Sequence, residues 1–513
     1  MPTITKRTNN SGTYYYLVRS ARVNGKSRIV QQTYLGTAER IERIMTASGV
    51  PDPLLTTVYD FGAVAALYSV AERLGVCRVI DEVAGKRKQG LPVSSSILLA
   101  AINRAVAPVS KKSFFEWFDK TVLYKMFPAA NEKNLSSQGF WNNMEFLDEK
   151  KIGEIEDALT KVVVDCYNLD VGCLLFDNTN FFTYMDTSNP SELAKRSHSK
   201  EKRTDLKIVG LSLMVSPDHN IPLYHEVYPG NRHDATQFNK IISKLKARYQ
   251  KLGRGDCVVT LVFDKGNNND GNIADLISTK PCQFHFVGGL RLNQCPELLE
   301  IPRSDYALLG EPLSGIYAYR ATKSIYGSDF ETVITYNPEL FKAQMEGIAA
   351  NIATCEKKLE MPCDKLEKRR SGQVTKGKKP TAESVEKNIR GILSADHMRE
   401  LFRFTITEGG KKIPTVDYSF DDESFLRLQD RVLGKSILFT DHGDWSSEQV
   451  VAAYHSQFHV EEDFKQMKDT KYLSFRPIRH FTDKHIVVHA FYCVLGLLLA
   501  SVLNKELDLR GTR

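Results

Sequence analysis

Two aspartates stand where an apolar strand is predicted to end, a position from which a side chain could hold a metal ion. The run LLFD ends in Asp177 and the run LVFD ends in Asp264. A carboxylate at the C-terminal edge of a sheet is open to ligands and metals. An aspartate after a strand is also common as a turn residue or a helix cap, so neither is diagnostic alone. The pair makes metal-dependent chemistry a hypothesis that a third carboxylate would strengthen.

A third acidic group lies in a helix predicted over residues 446–468. Positions three or four apart share one side of a helix, and this side carries Tyr454, Gln457, Glu461, Lys465 and Lys468. It combines a carboxylate with groups that can bind phosphate. Glu462 and Asp463 stand beside Glu461, and such acidic clusters usually form a solvated surface. Spacing alone does not choose between Glu461 and Glu462.

The elements around these residues have an order typical of an α/β protein. Strands are predicted at 171–177, 206–215, 221–228, 257–264 and 283–290, with helices at 234–252 and 273–277 before the last two. Three strands, helix, strand, helix, strand is an RNase H-like order. From 291 to 444 the alternation ends. Two amphipathic helices, over 345–359 and 385–402, are predicted there on either side of a basic loop at 368–380.

Two regions precede this core. Two β-rich runs within 13–35 are joined by Asn24-Gly25, a dipeptide typical of tight hairpins, and helical spacing follows Pro53 up to residue 165. We therefore predict five segments: a small β-hairpin module (1–45), a helical domain (46–165), the first part of an RNase H-like core (166–290), an insertion domain (291–444) and the last part of the core with the helix that carries Glu461 and the C-terminal helix (445–513).

Composition limits the class of protein. The chain has 42% hydrophobic and 26% charged residues, enough for a large core, and 69 basic against 62 acidic residues give a net charge of +7, which suits a polyanionic partner. Nine cysteines without a C-x-x-C pair and a polar N-terminus without a signal peptide predict reduced thiols and a cytoplasmic protein. The apolar stretch 486–502 contains His489, and we interpret it as a buried core helix rather than a membrane span.

Several separated motifs resemble those of the DDE transposases of prokaryotic insertion sequences. Their C-terminal Tyr-x-x-Arg-x-x-x-Glu-x-x-x-x-x-x-Lys signature is matched at its spacing by Tyr454, Gln457, Glu461 and Lys468, with glutamine in place of arginine. Similar pieces follow the family's order at 176–182, 196–207, 228–238, 263–272 and 476–480. The resemblance therefore extends over most of the chain.

The resemblance implies an α/β fold with an RNase H-like core, a mixed sheet flanked by helices, interrupted by a large insertion before its last helix. It implies that Asp177, Asp264 and Glu461 hold two Mg²⁺ ions, or Mn²⁺ as a substitute, and it selects Glu461 over Glu462. Asp177 would bridge the two ions. The implied activity is cleavage of transposon ends and strand transfer into target DNA, that is, cut-and-paste transposition.

Further expectations concern DNA contacts, and the resemblance implies that the helical domain 46–165 binds DNA. By the resemblance, Tyr454 and Lys468 bind phosphates, and Gln457 donates a hydrogen bond without arginine's charge, which Lys465 or Arg476 could replace. A basic run is expected to contact the DNA backbone: Lys195, Arg196, Lys200, Lys202, Arg203 and Lys207. The implied partners are the terminal inverted repeats, target DNA and a second copy of the chain, in a nucleoid-associated complex without a membrane. Trp445 could stack on an unpaired base or pack internally.

Alternative functions were weighed against this one. His455 and His459 are spaced like zinc ligands of a metalloprotease, but such enzymes need glutamate directly after the first histidine, where this chain has Ser456. That class is excluded. A catalytically inactive, transposase-derived DNA-binding protein stays open because of Gln457. An RNase H-like nuclease that cuts without joining also stays open.

Overall fold

The computed structural model describes residues 2–23, 26–46, 57–85, 87, 89–186, 188–197, 205–251, 258–278, 284–408, 413–476 and 478–512. Two compact units are present, one formed by Met1–Phe61 with Asp119–Val122 and the other by the remainder. In the first unit, strands β1 (Pro2–Asn9), β2 (Gly12–Val23) and β3 (Lys26–Gly36) form an antiparallel sheet, followed by helix α1 (Ala38–Thr46). The predicted hairpin is β2–β3, and β1 is an additional strand. The Asn24-Gly25 turn lies outside the described residues.

Helices occupy the next region, as predicted. They are α2 (Gly62–Arg73), α3 (Val76–Ala84), α4 (Val93–Val106), α5 (Phe114–Asp119), α6 (Leu123–Met126), α7 (Ser137–Met144) and α8 (Glu149–Tyr167). Helix α4 is buried on almost all sides because the C-terminal helix of the chain packs against it. The helical region and the core therefore share one compact unit. The assignment of 46–165 as a DNA-binding domain stays a prediction.

A mixed sheet flanked by helices forms the centre of the second unit. Its first elements are β4 (Cys173–Thr183), β5 (Lys195–Arg196), β6 (Lys207–Val215), β7 (Pro222–Pro229), α9 (Asp234–Lys251), β8 (Val259–Phe263), α10 (Asp270–Ile277) and β9 (Phe284–Leu290). β4, β6 and β7 are antiparallel neighbours, whereas β8 is parallel to β4 and β9 is parallel to β8. The spatial order β7-β6-β4-β8-β9 confirms the predicted RNase H-like arrangement.

The interval 291–444 contains more strands than predicted. Its elements are α11 (Pro296–Leu299), β10 (Ala307–Leu308), β11 (Tyr317–Ile325), β12 (Ser328–Tyr336), α12 (Pro338–Arg370), α13 (Ala382–Ile392), α14 (Met398–Leu401), β13 (Phe402–Glu408), β14 (Pro414–Phe420), α15 (Asp422–Arg431) and β15 (Lys435–Thr440). β15 pairs with β9, and β12, β11 and β10 follow, so these strands extend the central sheet to ten. The two predicted amphipathic helices correspond to α12 and α13, which share an apolar core with β13 and β14.

The C-terminal helices are α16 (Ser447–His455), α17 (Phe458–Lys468) and α18 (Asp483–Leu509). The single helix predicted over 446–468 is therefore wrong: it breaks at Ser456 and Gln457 into α16 and α17. Helix α18 is long and apolar enough to cross a membrane, but 89% of its most apolar stretch is buried within the protein. It packs on α2, α4 and β7, which agrees with the core-helix interpretation. The cysteines in the described part of the chain are free thiols.

Aromatic packing fixes one face of the sheet below the site. The ring of Phe238 on α9 lies 5.2 Å from Phe176 of β4 and 4.7 Å from Phe263 of β8, measured between centroids. All three rings are fully buried. Because alternate residues of a strand point to opposite faces, the residues that follow Phe176 and Phe263 leave this packed face. Those residues are Asp177 and Asp264.

Candidate active site

Strand pairing places the two predicted aspartates side by side. Phe176 of β4 and Phe263 of β8 are register partners in a parallel pair, so Asp177 and Asp264 follow on adjacent strands, which lie about 4.8 Å apart. β8 ends at Phe263, as predicted. β4 continues to Thr183, so the prediction that Asp177 ends its strand is wrong. Asp177 is half-buried in mid-strand, beside the point where its neighbour stops.

Buried asparagines position both aspartates. The Asn178 amide donates to the Asn267 side-chain oxygen at 3.1 Å, and the Asn178 oxygen accepts from the Ser212 hydroxyl at 2.6 Å. The Asn267 backbone N–H donates to the Asp264 carbonyl at 3.1 Å. Buried polar groups that are satisfied in this way fix their surroundings. The spacing of apolar and acidic residues did not predict a role for these asparagines, although each lies within three positions of an aspartate that follows an apolar run.

Helix α17 is anchored to β4 on both sides of Asp177. Near its start, the Gln457 amide donates to the Phe176 carbonyl at 3.3 Å. In its last turn, the Lys468 ammonium donates to the Thr179 hydroxyl at 2.9 Å. Thr179 shares a strand face with Asp177 because it is two positions further along the strand. The helix therefore runs along β4 over the aspartate.

Glu461 lies in the first turn of α17, between these two anchors. Its side chain is exposed, whereas the neighbouring Glu462 forms an ion pair with Lys465 at 3.3 Å. The two glutamates that spacing could not separate thus differ in their surroundings. Glu461 is the one whose charge acts on the tyrosine at the end of α16.

That tyrosine, Tyr454, brings the three carboxylates into one environment. Its hydroxyl donates to the Asp264 Oδ1 atom at 3.1 Å. Burial raises the pKa of Tyr454, and the negative charges of Asp264, Glu461 and Asp177 raise the pKa further. A Cβ atom built on Gly289 would lie 2.5 Å from the hydroxyl, so glycine makes room for it. Asp264 therefore contacts this hydroxyl directly, and Glu461 and Asp177 lie near enough for their charges to raise the tyrosine pKa.

The donor set fits hard divalent ions by its chemistry. Mg²⁺ and similar ions prefer carboxylate oxygens as ligands. Three carboxylates are available here, those of Asp177, Asp264 and Glu461. Within the described residues, no group of three or more His, Cys, Asp or Glu side chains is already clustered at metal-binding distances. Repulsion between like charges keeps carboxylates apart unless a cation or a shared proton offsets it.

The remaining signature residues have protein partners. Gln457 is buried, with 8% of its surface exposed, and its amide contacts backbone, so it lies away from the surface where a phosphate would bind. Lys468 lies over the Phe181 ring, with its ammonium 5.7 Å from the centroid. Arg476 donates to the Lys468 carbonyl at 3.0 Å. These contacts hold α17 and the segment after it against β4.

The predicted basic run is divided by the structure. Lys195 and Arg196 form the short strand β5 beside β6, and Arg196 is exposed. Lys207 is buried and donates to the Asn189 carbonyl at 2.8 Å, so a DNA-backbone contact is wrong for this residue. Lys200, Lys202 and Arg203 lie outside the described residues. Trp445 is stacked on His442 with centroids 4.0 Å apart, which supports the packing interpretation.

Comparison with known proteins gives one family and several distant structures. Residues 174–499, more than half of the chain, match the family model described as "Transposase DDE domain". A piggyBac transposase synaptic complex with hairpin DNA is 10% identical, with 89% of this chain and 77% of that chain covered and a TM-score of 0.39. A Mos1 transposase paired-end complex is 13% identical, with 39% and 60% covered and a TM-score of 0.16. Comparison with curated proteins gave no match.

Proposed function

Because the chain belongs to the Transposase DDE domain family, a family of DNA transposition enzymes, we propose that it cleaves transposon ends and joins them to target DNA in a metal-dependent, cut-and-paste reaction. One observation carries this proposal. Asp177 and Asp264 follow register partners on adjacent parallel strands, and helix α17, which carries Glu461, is held to the Asp177 strand by Gln457 and Lys468. Three carboxylates on neighbouring elements of an RNase H-like core suit metal-dependent phosphoryl transfer.

Asp177, Asp264 and Glu461 would hold two divalent ions, Mg²⁺ with Mn²⁺ as a substitute, and Asp177 would bridge them. Such ions, when bound, activate the attacking water or 3′-hydroxyl and stabilise the leaving 3′-oxygen. Tyr454 orients the Asp264 carboxylate through its hydrogen bond. Lys468, held by Thr179, places a positive charge beside the aspartate strand, where it neutralises phosphate charge.

The partners follow from this reaction. Transposon-end DNA with terminal inverted repeats and target DNA are the substrates, and bringing two ends together calls for at least two copies of the chain. The exposed Arg196 on β5 is available to a DNA phosphate. A DNA-acting protein of this kind would work in the cytoplasm, at the nucleoid.

Gln457 no longer favours the inactive alternative. Its place in the signature suggested a lost phosphate contact, but its side chain is buried and holds the start of α17 to the strand that carries Asp177. An arginine missing from that position is therefore compatible with an intact site. The nuclease alternative differs only in the joining step, which the following experiment separates.

The test uses purified full-length protein, DNA that carries the element's own ends, and Mg²⁺. We expect Asp177→Asn, Asp264→Asn and Glu461→Gln each to lower cleavage and joining by more than about 100-fold, because a lost metal ligand costs more than a lost supporting contact. Glu462→Gln is the matched control and should stay within about twofold of wild type, because Glu462 is paired with Lys465. Equal products from wild type and Asp177→Asn would refute the proposal, and cleavage without joined product would identify a nuclease.

A further inference from the structure

A basic pocket lies outside the carboxylate site. It has a volume of about 400 Å³ and opens between the α4–α5 connection, α7 and the segment that precedes α18. We define the basic pocket by six of its lining residues: Arg104, Lys111, Lys112, Trp141, Arg479 and His480. They come from three distant parts of the sequence, so no local motif announces the pocket.

The charges of the basic pocket are not balanced by acidic neighbours. Of the described residues that line it, none is Asp or Glu. The Lys111 ammonium lies 3.0 Å from the Nε2 atom of His480. Burial and the charge of Arg104 lower the pKa of Lys111 to about 7. Burial and the charge of Lys111 lower the pKa of His480 well below its usual value. A bound anion would favour the charged form of Lys111, which burial and Arg104 disfavour.

Several basic groups have fixed roles around the basic pocket. Arg104 donates to the Val109 carbonyl at 3.0 Å and to the Ser474 carbonyl at 3.4 Å, so it supplies charge from a fixed position. His489 donates to the Phe475 carbonyl at 3.1 Å and is therefore occupied. Lys112 and Arg479 are exposed and can contact a ligand directly, and Lys111, which contacts His480, also lines the pocket.

We propose that the basic pocket binds a phosphate group of the DNA backbone. Two lysines and an arginine offer the donors that a phosphate oxyanion needs. Trp141 stands at the pocket with 40% of its surface exposed, where its ring can stack on a base next to that phosphate. The choice of DNA rests on the proposed function, whereas the preference for an oxyanion rests on the pocket alone.

The chain connects the basic pocket to the proposed metal site. Ile478 donates its N–H to the Phe182 carbonyl at 3.3 Å and accepts from the Thr183 hydroxyl at 3.0 Å, and Arg479 follows directly. Thr183 is six residues beyond Asp177 on β4, a distance of about 20 Å at 3.3 Å per residue. About six base-pair steps of duplex DNA cover that length. For a duplex that runs along β4, the bound phosphate would lie about six nucleotides from the bond that is cut.

The test measures binding of a labelled transposon-end duplex over a series of NaCl concentrations, without divalent metal and in an Asp177→Asn background, so that no DNA is cut. We expect Arg479→Gln and Lys111→Met each to weaken binding and to reduce the slope of log K against log salt by about 0.9, the value for one lost phosphate contact. Lys133→Gln, an exposed lysine in the same helical region but outside the basic pocket, should leave the slope unchanged. Unchanged slopes in both pocket variants would overturn the proposal.

Two further measurements identify the ligand. In the first, a neutral methylphosphonate replaces one phosphate at a time along the duplex. In Asp177→Asn protein, the replacement about six nucleotides from the cleaved bond should weaken binding. In protein that also carries Arg479→Gln, the same replacement should have no effect. Inorganic phosphate is the second probe: thermal stabilisation by it, with unaltered DNA slopes in the variants, would assign the pocket to a free anion and refute the DNA proposal. If Lys111→Met does not fold, Arg479→Gln still tests the proposal, because Arg479 is exposed and its replacement leaves the core unchanged. If the wild-type enzyme neither cleaves nor joins DNA but the pocket variants still reduce the salt slope, only the proposed function is refuted.

Discussion

Removal of the Tyr454 hydroxyl tests whether that group positions the proposed metal ligands. Tyr454→Phe deletes one oxygen and keeps the ring that packs over Gly289. The deleted group is the donor of a 3.1 Å hydrogen bond to the Asp264 carboxylate. Without it, that carboxylate can rotate away from the position that it would need beside Asp177. We therefore expect slower strand cleavage in an otherwise folded protein.

The size of the effect follows from the kind of hydrogen bond. A hydrogen bond to a charged acceptor contributes about 1.5–3 kcal/mol. If that free energy is lost in the transition state, cleavage slows by about 10- to 150-fold, at about 1.4 kcal/mol for each factor of ten. The effect should be smaller than that of Asp264→Asn, which removes the ligand itself.

The assay is single-turnover cleavage of transposon-end DNA at saturating Mg²⁺, with the thermal midpoint measured in parallel. Tyr472→Phe is the matched control, because Tyr472 is also half-buried and its pKa is also raised, to about 12, by burial and then by Asp463. It should cleave like wild type. A Tyr454→Phe enzyme within about twofold of wild type, alongside an inactive Asp264→Asn, would show that the hydroxyl does not position the site.

Two more predictions concern the same region. Gly289→Ala would place its Cβ 2.5 Å from the Tyr454 hydroxyl, so we expect a loss of about 1–3 kcal/mol in urea unfolding, partly relieved by Tyr454→Phe. Gly347→Ala, with open space around its Cβ, should be neutral or stabilising, and equal losses would contradict the packing argument. Burial raises the pKa of Asp463 to about 8, from 3.8. As pH rises, the unfolded chain loses this proton before the folded protein does. The free energy of unfolding should therefore fall between about pH 4 and 8, and at pH 7 it should be roughly 4 kcal/mol below its value under pH 4. Asp463→Asn should flatten that pH profile and exposed Glu462→Gln should not; a profile unchanged by Asp463→Asn would disprove the assignment.

Local patterns in the sequence predicted the parts of the site that depend on local physics. The apolar runs before Asp177 and Asp264 form strands, and the helices up to residue 165 follow their apolar spacing. Glutamate 461 could be chosen over its neighbour only through the spacing of a family signature. Such patterns predict local structure because a helix or strand that buries one face needs apolar residues at its own spacing along the chain.

Other features depend on partners that are distant in sequence. β4 continues past Asp177 through polar residues that resemble a turn, because Asn178 is satisfied by Asn267 and Ser212 across the sheet. The strands of the interval 291–444 extend the central sheet because β15 pairs with β9, and no local pattern encodes that pairing. Both effects come from hydrogen bonds between segments that the sequence separates.

By itself, then, the sequence identified Asp177 and Asp264 as candidate metal ligands next to apolar strands, and the spacing of the family signature selected Glu461. Only the tertiary structure decided that Gln457 faces a backbone carbonyl, that the helix breaks before Glu461, and that Tyr454 donates a hydrogen bond to Asp264. It also decided that Lys111 and Arg479 share one pocket. The physical reason is the same in each case: hydrogen bonding, burial and charge depend on which side chains meet in space, and chain order does not specify that.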